Sequence, residues 1–333
     1  MKILAFVLAG GKGTRLYPLT AMHAKPALPF VKGYRIIDFV LSNLLNSGVS
    51  SICVLAQYKP QSLIDHLRAA WIPRCNAKGR SLSVIRPNTA NGEGAFKGTA
   101  DAVYRNLHLV NRHEADLVAV FAADHVYRMD VRQMVEFHRG CGADVSVAAV
   151  PVPLEQASAF GIMRTGDDAS IREFQEKPLR PATMPADPSR AYASMGNYLF
   201  DPGVLGSTLE EANRGGGSDF GRHMMPRLPG RCRTFAYDFS SNSLPGIAAH
   251  EERGYWRDVG TVEALVAAQS DTRGSRPRFD LRNRAWPIFG HEHQAPSVND
   301  SHHELRWSVL DNPPVRRLTP VFRAEASEQH AGA

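Results

Sequence analysis

Cysteine is scarce in this chain, and the few cysteines are not arranged to bind a metal or to form a disulfide framework. The 333 residues contain four cysteines, Cys53, Cys75, Cys141 and Cys232, with no Cys-x-x-Cys pair. This spacing argues against a structural zinc site and a disulfide-rich secreted domain, and it is typical of proteins in a reducing cytoplasm. We therefore expect a cytoplasmic protein.

Long hydrophobic runs are also missing. The apolar stretch ILAFVLA at residues 3–9 is short, and it continues into a glycine-rich segment instead of a small-residue cleavage site. No other stretch approaches the roughly 20 apolar residues of a membrane-spanning helix. We expect neither a signal peptide nor a membrane partner, and we assign the first run to a buried strand.

Charge of one sign does not gather into a tract either. The net charge of +6 comes from 39 Lys and Arg against 33 Asp and Glu, and the basic residues are dispersed along the chain. An anionic partner suits this balance, but no nucleic-acid-binding pattern is present, so nucleic acid is not an expected partner. The hydrophobic share of 43% is ordinary for a globular enzyme.

Apolar runs of strand length alternate with helical patterns along the chain. The predicted strands are residues 3–8, 51–56, 117–122 and 145–150, and the predicted helices include 38–47, 61–71 and 99–109. Near-continuous apolar strands indicate a sheet that is covered on both faces. The alternation predicts an α/β fold with a mostly parallel central sheet and helices on both faces.

The character of the sequence changes near residue 272. Beyond it the chain is polar and irregular, and no internal repeat is present. We predict one domain over residues 1–272, followed by a linker-like segment and an irregular tail over 273–333. The tail histidines lack acidic or cysteine partners at ligand spacing, which disfavours a metal site there. They are His291, His293, His302 and His303.

The glycine-rich segment after the first predicted strand indicates phosphate binding. Residues 10–15, GGKGTR, match neither a P-loop nor a dinucleotide fingerprint, which would need glycine where Leu16 stands. The glycines alone would fit a tight turn. Arg15 and Lys25 favour a binding role, because glycines let backbone N–H groups approach phosphate oxygens while the two cations neutralise charge.

Several segments together resemble one enzyme family. LAGGKGTRLYPLT followed by KPALPF resembles the signature of sugar-1-phosphate nucleotidyltransferases. Further segments, in the family's order over residues 1 to about 290, narrow the resemblance to glucose-1-phosphate adenylyltransferases. They are RIIDFVLSNLLNSG, GTADAVYRNL, FAADHVYRMD, ASAFGIM, EKP, ASMGNYLF, DFGRHMMP and YWRDVGT.

The resemblance implies both a fold and a reaction. The fold would be the Rossmann-like fold of nucleotide-diphospho-sugar transferases. The reaction would transfer the adenylyl group of ATP to α-D-glucose 1-phosphate, giving ADP-glucose and pyrophosphate for glycogen synthesis. Arg15, Lys25 and Asp124 would be the catalytic residues. Base choice rests on few contacts, so UTP, dTTP or GTP stays open as the nucleotide, as does a non-catalytic binding subunit.

Two aspartates are expected to bind Mg²⁺. Asp124 follows a predicted strand and could equally be a helix N-cap, and its spacing from Asp258 is weak evidence alone. The resemblance makes them the pair of metal ligands. Such transfers use a hard cation held by carboxylates and phosphate oxygens.

The resemblance also implies the substrate contacts. Glucose 1-phosphate would be bound by Phe96, Gly161, Glu176, Lys177 and Ser194, with Lys177 on the phosphate and Glu176 on sugar hydroxyls. Phe96 stands where a tyrosine is common in the family, so a hydroxyl contact is lost. ATP would be bound by Leu8, Ala9, Gly10, Gly11, Gly13, Thr14, Arg15, Gln57, Gly98 and Thr99. For Gln57 a buried, capped turn is an equally good interpretation.

The chain departs from the family in two places. The family usually carries a C-terminal β-helix of hexapeptide repeats, and the tail beyond RNRAWPIFG shows no such period. Met22 and His23 stand where bacterial members often have basic residues that take part in activator binding. We expect weak or absent regulation by sugar-phosphate activators, and without the β-helix domain it stays open whether the chain forms a homo-oligomer.

Overall fold

The computed structural model describes residues 1–31, 33–88 and 94–290. Strands and helices alternate along most of this part of the chain. The strands are Ile3–Ala9 (β1), Ser51–Ala56 (β2), Ser81–Ile85 (β3), Leu117–Ala122 (β4), His125–Tyr127 (β5), Val145–Pro153 (β6), Gly161–Thr165 (β7), Ile171–Glu176 (β8), Arg190–Phe200 (β9), Thr234–Asp238 (β10) and Trp256–Asp258 (β11). The α-helices are Ile37–Asn46 (α1), Gln61–His66 (α2), Ile72–Ala77 (α3), Thr99–Tyr104 (α4), His108–Arg112 (α5), Val131–Gly140 (α6), Pro202–Arg214 (α7) and Val262–Asp271 (α8).

The main sheet has the order β10-β6-β9-β4-β1-β2-β3. All neighbours along this path are parallel except those of β9, which runs antiparallel to both β4 and β6. Strands β7 and β8 pair with each other, and β7 also pairs with β9. Strands β5 and β11 form a separate antiparallel pair. The predicted α/β fold with a mostly parallel sheet is confirmed.

Strand β1 shows why the sheet is covered on both faces. Its side chains alternate between two buried clusters: Ala5 and Val7 pack with helix α1, whereas Leu4 and Phe6 pack with helices α4 and α7. Successive residues of a strand point to opposite faces, so an uninterrupted apolar run needs apolar partners on each side. The sheet is therefore the middle layer of three.

The predicted strands agree closely with the structure. Strands β2 and β4 have the predicted limits, β1 is one residue longer, and β6 continues to Pro153. The helix predicted over 99–109 is wrong in its middle, because the chain leaves the helix between α4 and α5. There the Asn106 side-chain amide donates to the carbonyl of Ala102, and such local bonds compete with helical ones.

The helix predicted over residues 61–71 continues further and changes pitch. Helix α2 passes into a π-helical turn, Leu67–Trp71, and then into α3, which ends at Ala77. Pro73 lies in the first turn of α3, where its missing N–H group is tolerated. The wider turn before it shifts the hydrogen-bond register, so the helix continues across the proline.

The segment after helix α8 packs against the rest of the chain. Phe279, Trp286 and Ile288 are buried, and the Phe279 ring lies 5.8 Å from Phe39 and 4.9 Å from Tyr255. The domain boundary near residue 272 stays a prediction. His291, His293, His302 and His303 lie outside the described residues.

Two expectations from composition can be compared with the structure. Cys53, Cys75, Cys141 and Cys232 all have free thiols. Among the helices described here, none is long and apolar enough to cross a membrane.

A buried carboxylate connects helix α1 to the helical segment that follows β2. Asp38 is fully buried; its Oδ1 accepts a hydrogen bond from Trp71 Nε1 at 2.6 Å and lies 2.5 Å from His66 Nε2. Its Oδ2 accepts from the backbone N–H of Arg35 at 2.7 Å. A buried carboxylate is tolerated only when its oxygens are satisfied in this way.

Replacing Asp38 with alanine is expected to lower the free energy of unfolding by about 3 kcal/mol, because it leaves these donors buried without an acceptor. Urea unfolding followed by circular dichroism measures the change. The exposed Asp65, which accepts from Gln61 on α2, provides the matched control, and Asp65→Ala should cost less than about 0.5 kcal/mol. Equal stabilities of the two variants would contradict the prediction.

Candidate functional site

A cavity of about 350 Å³ lies at the carboxyl ends of the central parallel strands. Strands β1, β2 and β4 are neighbours and parallel, so the segments that follow them meet at one edge of the sheet. Ten of the predicted site residues line this cavity: Leu8, Ala9, Gly10, Gly11, Lys25, Gln57, Phe96, Gly98, Thr99 and Asp124. Further lining residues include Tyr58, Lys97, Ala122 and Asp219.

The glycine-rich loop turns sharply at Gly13. Its φ of 62° is left-handed, and a Cβ there would lie 2.9 Å from Thr20 Cγ2 and 3.1 Å from Lys25 Cβ. The Thr20 hydroxyl also donates to the carbonyl of Gly13 at 2.9 Å. Only glycine suits both the backbone conformation and the close approach. The turn therefore brings Lys25 next to the loop.

Thr14 and Arg15 follow this turn and are exposed. Neither they nor Gly13 line the cavity, so these predicted nucleotide residues lie beside it. The guanidinium of Arg15 points toward the segment after β11. A Cβ placed on Gly260 would lie 2.8 Å from Arg15 Nη2 and 3.1 Å from Asp258 Oδ1. Arg15 is thus adjacent to the second predicted metal ligand.

The two predicted metal ligands come together despite their distance in sequence. The antiparallel pair β5–β11 places Asp258 opposite His125, directly beside Asp124. Lys25 Nζ lies 2.8 Å from Asp124 Oδ2 and 3.5 Å from Asp258 Oδ1. His125 Nε2 lies 3.6 Å from Asp124 Oδ1 and 4.0 Å from Asp258 Oδ1. The donor atoms of Asp124, His125 and Asp258 all lie within 4.8 Å of one another.

The charges around Asp124 keep it ionised. Removal from water raises its pKa, but nearby His125 and Lys25 lower it more strongly, and the resulting pKa is about 2. The ammonium group of Lys25 is itself shielded from water, since its side chain is only 8% exposed. A carboxylate that stays charged at neutral pH is the form that binds a cation. Two carboxylates so close also repel each other, which a cation between them relieves.

Gln57 and the head of helix α4 form the opposite wall of the cavity. The Gln57 amide donates to the carbonyl of Phe96 at 3.1 Å, which fixes its side chain. The carbonyl of Ser218 accepts from Ala100 N–H at 2.8 Å and so caps helix α4. Thr99 Oγ1 donates to Asp219 Oδ2 at 3.1 Å. The Ser218–Asp219 loop and the Gly98–Thr99 turn therefore form one unit.

The predicted sugar-phosphate residues lie next to this wall. Gly161 of β7 is paired with Glu176 of β8, and Lys177 follows with a left-handed φ of 49°. Lys177 Nζ lies 3.7 Å from Glu176 Oε1, and its side chain is 54% exposed. Burial raises the pKa of Glu176, Lys177 lowers it, and Asp219 raises it further. Asp219 is thus close to both groups of residues.

Ser194 lies on β9, near the end of β4. Its hydroxyl accepts from the backbone N–H of Gly196 at 3.2 Å. A Cβ on Gly196 would lie 3.2 Å from Ala122 Cβ and 3.7 Å from His125 Cε1. Because β9 runs antiparallel to β4, its residues before Phe200 reach the edge where β4 ends.

Sequence reasoning missed three residues of this region. His125 lies near both carboxylates, Asp219 lines the cavity, and the ring centroids of Trp256 and His125 lie 5.0 Å apart. All three lie inside segments that carried the resemblance. His125 follows Asp124 and Trp256 precedes Asp258 by two residues, so both were detectable as near neighbours of a predicted metal ligand, whereas Asp219 has no such neighbour in the sequence.

Comparison with known proteins gives consistent matches. The nucleotidyl transferase family matches residues 4–275. A glucose-1-phosphate adenylyltransferase of Thermodesulfovibrio yellowstonii is 48% identical over 310 residues, which are 93% of this chain and 75% of that protein. Proteins of the same name from an Anaeromyxobacter species and Corynebacterium jeikeium are 47% and 46% identical. These alignments cover 89% and 86% of this chain, and 72% and 71% of the relatives.

Substituting Gly98 with alanine is expected to disturb the wall between α4 and the Ser218–Asp219 loop. Gly98 is extended, with φ of 178°, but a Cβ there would lie 2.4 Å from the carbonyl oxygen of Ser218. Relief of such a contact costs about 2 kcal/mol, measurable as a lower free energy of unfolding in urea.

Gly11→Ala serves as the control for Gly98→Ala, because a Cβ on Gly11 meets nothing within 4 Å. Its free energy of unfolding should match that of the wild type. A Gly98→Ala variant as stable as Gly11→Ala would show that the contact is relieved at no cost, against the prediction.

Proposed function

The chain belongs to the glucose-1-phosphate adenylyltransferases of the nucleotidyl transferase family, and we propose how its own residues carry out that reaction. The enzyme transfers the adenylyl group of ATP to α-D-glucose 1-phosphate and releases pyrophosphate, which gives ADP-glucose for glycogen synthesis. The observation that carries the proposed roles is the convergence of Lys25, Asp124 and Asp258 beside the glycine-rich loop.

The triphosphate of ATP would lie along that loop. Gly10 and Gly11 leave the backbone N–H groups accessible to phosphate oxygens, and Lys25 and Arg15 supply positive charge beside the carboxylate pair. Charge moves onto the leaving pyrophosphate during the reaction. Cations held ready at that position stabilise the transition state more than the ground state.

The acceptor would approach from the side of Glu176 and Lys177. Lys177, exposed beside Glu176, suits the phosphate of glucose 1-phosphate, and Glu176 suits its hydroxyls. A phosphate oxygen of glucose 1-phosphate forms the new bond to the α-phosphorus while the bond to the bridging oxygen of pyrophosphate breaks. The attacking oxygen is already anionic, so the step needs no general base. Positioning and electrostatics provide the catalysis.

Asp124 and Asp258 fit a divalent cation, which we propose is Mg²⁺. Their carboxylates are hard oxygen donors within 4.8 Å of each other, and Asp124 stays ionised at neutral pH. Bound there, Mg²⁺ would neutralise charge on the phosphates. Lys25 already bridges the two carboxylates and keeps them in place.

Adenine recognition is proposed for the wall formed by Gln57, Gly98 and Thr99. Gln57 is fixed by its hydrogen bond to Phe96, so its remaining amide atoms are presented in one orientation. Phe96 lines the same cavity with an aromatic face and no hydroxyl. These few contacts distinguish adenine from the other bases.

The nucleotide preference is tested by measuring pyrophosphate release with glucose 1-phosphate, Mg²⁺ and one nucleoside triphosphate at a time. We expect release with ATP and at least about tenfold less with UTP, dTTP or GTP, because a single unpaired polar contact costs that much. A preference for another nucleotide would overturn the base assignment. Binding of ATP without release would favour a non-catalytic subunit.

Asp124→Asn is expected to reduce turnover at least about 100-fold while leaving the fold intact, because it removes the charge that holds the cation. Pyrophosphate release measures turnover, and the electron paramagnetic resonance signal of free Mn²⁺ measures cation binding. Asp65→Asn, which changes an exposed aspartate of α2, is the matched control. Near-normal turnover and Mn²⁺ binding by a folded Asp124→Asn protein would refute the metal-ligand assignment.

A further inference from the structure

His223 lies outside the cavity and contacts the loop that forms one of its walls. Its ring Nδ1 lies 3.2 Å from the backbone nitrogen of Ser218 and 3.1 Å from that of Asp219. Both backbone groups are hydrogen-bond donors, so Nδ1 must be the acceptor. The ring is therefore neutral, with its one proton on Nε2.

The Ser218–Asp219 backbone that this ring contacts positions Thr99 and Asp219, which line the nucleotide cavity. The carbonyl of Ser218 caps α4 by accepting from Ala100 and Asp101, at 2.8 and 3.1 Å. The Asp219 carboxylate accepts from the Thr99 hydroxyl, which in turn accepts from the backbone N–H of Phe220 at 3.0 Å. A movement of this loop would displace Thr99 and Asp219 together.

The same loop also touches the acceptor side. Asp219 raises the pKa of Glu176, and a Cβ placed on Gly221 would lie 2.5 Å from Glu176 Oε2. The turn that begins at Phe220 therefore contacts the carboxylate of Glu176 through Gly221. The Ser218–Asp219 loop and the turn after it therefore contact both Thr99 on the nucleotide side and Glu176 on the sugar-phosphate side. His223 Nδ1 accepts hydrogen bonds from the backbone N–H groups of both residues of this loop.

We propose that His223 is a positioning residue for adenylyl transfer, which rests on the proposed function, and that it acts only as the neutral Nε2–H tautomer. It contacts neither substrate in the proposed arrangement. A second proton on the ring turns Nδ1 into a donor that faces two donors, so the loop loses its support. Loss of this acceptor weakens the binding of both substrates.

The surroundings of His223 are charged. A second cavity, of about 260 Å³, adjoins the ring. The titratable and charged groups that line this cavity together with His223 are Glu211 of α7, Arg227, Arg231 and Cys232. Arg231 is paired with Glu211 at 2.7 Å, so these two charges largely compensate each other.

The tautomer can be tested without any turnover. Among the 13 histidines, the ¹⁵N resonances that disappear in His223→Asn identify His223. At about pH 8, where a free imidazole is neutral, we expect Nδ1 to have the chemical shift of an unprotonated ring nitrogen. A protonated Nδ1 would overturn the proposal. This result stands whether or not the protein proves to be the proposed enzyme.

Kinetics test the positioning role. His223→Ala should raise the KM values for ATP and glucose 1-phosphate about tenfold, with a smaller change in kcat, because two hydrogen bonds to the loop are lost. His223→Asn should restore both values, because its Oδ1 is attached to Cγ as Nδ1 is and accepts the same bonds.

His108→Asn, at an exposed histidine that begins α5, is the matched control and should keep the wild-type KM values. Melting temperatures check that each variant is folded. Failure of folded His223→Asn to restore the KM values would overturn the positioning role. Absence of pyrophosphate release from the wild type itself would count against the proposed function, and ATP affinities of the same variants would then decide the positioning role.

Discussion

The site depends on one electrostatic arrangement, the ammonium group of Lys25 between the carboxylates of Asp124 and Asp258. At 2.8 and 3.5 Å it compensates two negative charges that would otherwise repel each other at the mouth of the cavity. The side chain reaches this position only because Gly13, which lies against Lys25 Cβ, has no side chain of its own. The glycine-rich loop thus shapes the carboxylate pair as well as the phosphate-binding surface.

The topology explains why residues so distant in sequence meet. Strand β4 delivers Asp124 to the edge where β1 ends, and the small β5–β11 sheet brings Asp258 back to the same place. The backbone pairing of β5 and β11 fixes Asp258 opposite His125, the residue that follows Asp124. The sugar-phosphate side is built differently, from the turn after β8 and the loop before Phe220.

This difference determines how much could be predicted from the sequence. The apolar runs predicted the first and last residues of β2 and β4 correctly. A strand that is covered on both faces is apolar along most of its length, so its ends coincide with the ends of the apolar run. The break between α4 and α5 was not predictable, since it depends on one side-chain hydrogen bond of Asn106. No spacing rule predicts that Asp258 lies opposite His125. Only the family resemblance indicated that Asp124 and Asp258 lie together.

Loop contacts were the least accessible part. Asp219 and His223 were printed in a quoted segment, yet their roles arise from hydrogen bonds to Thr99 and to backbone N–H groups that no sequence pattern encodes. The Thr99–Asp219 contact joins residues 120 positions apart, whereas the His223 contacts are local, and each hydrogen bond is worth little alone. They matter because they connect Thr99 on the nucleotide side to Glu176 on the sugar-phosphate side of the site. Asp124 and Asp258 come from strand ends, whereas Lys25 follows the glycine-rich loop, so loops as well as strands supply the charged groups of the site.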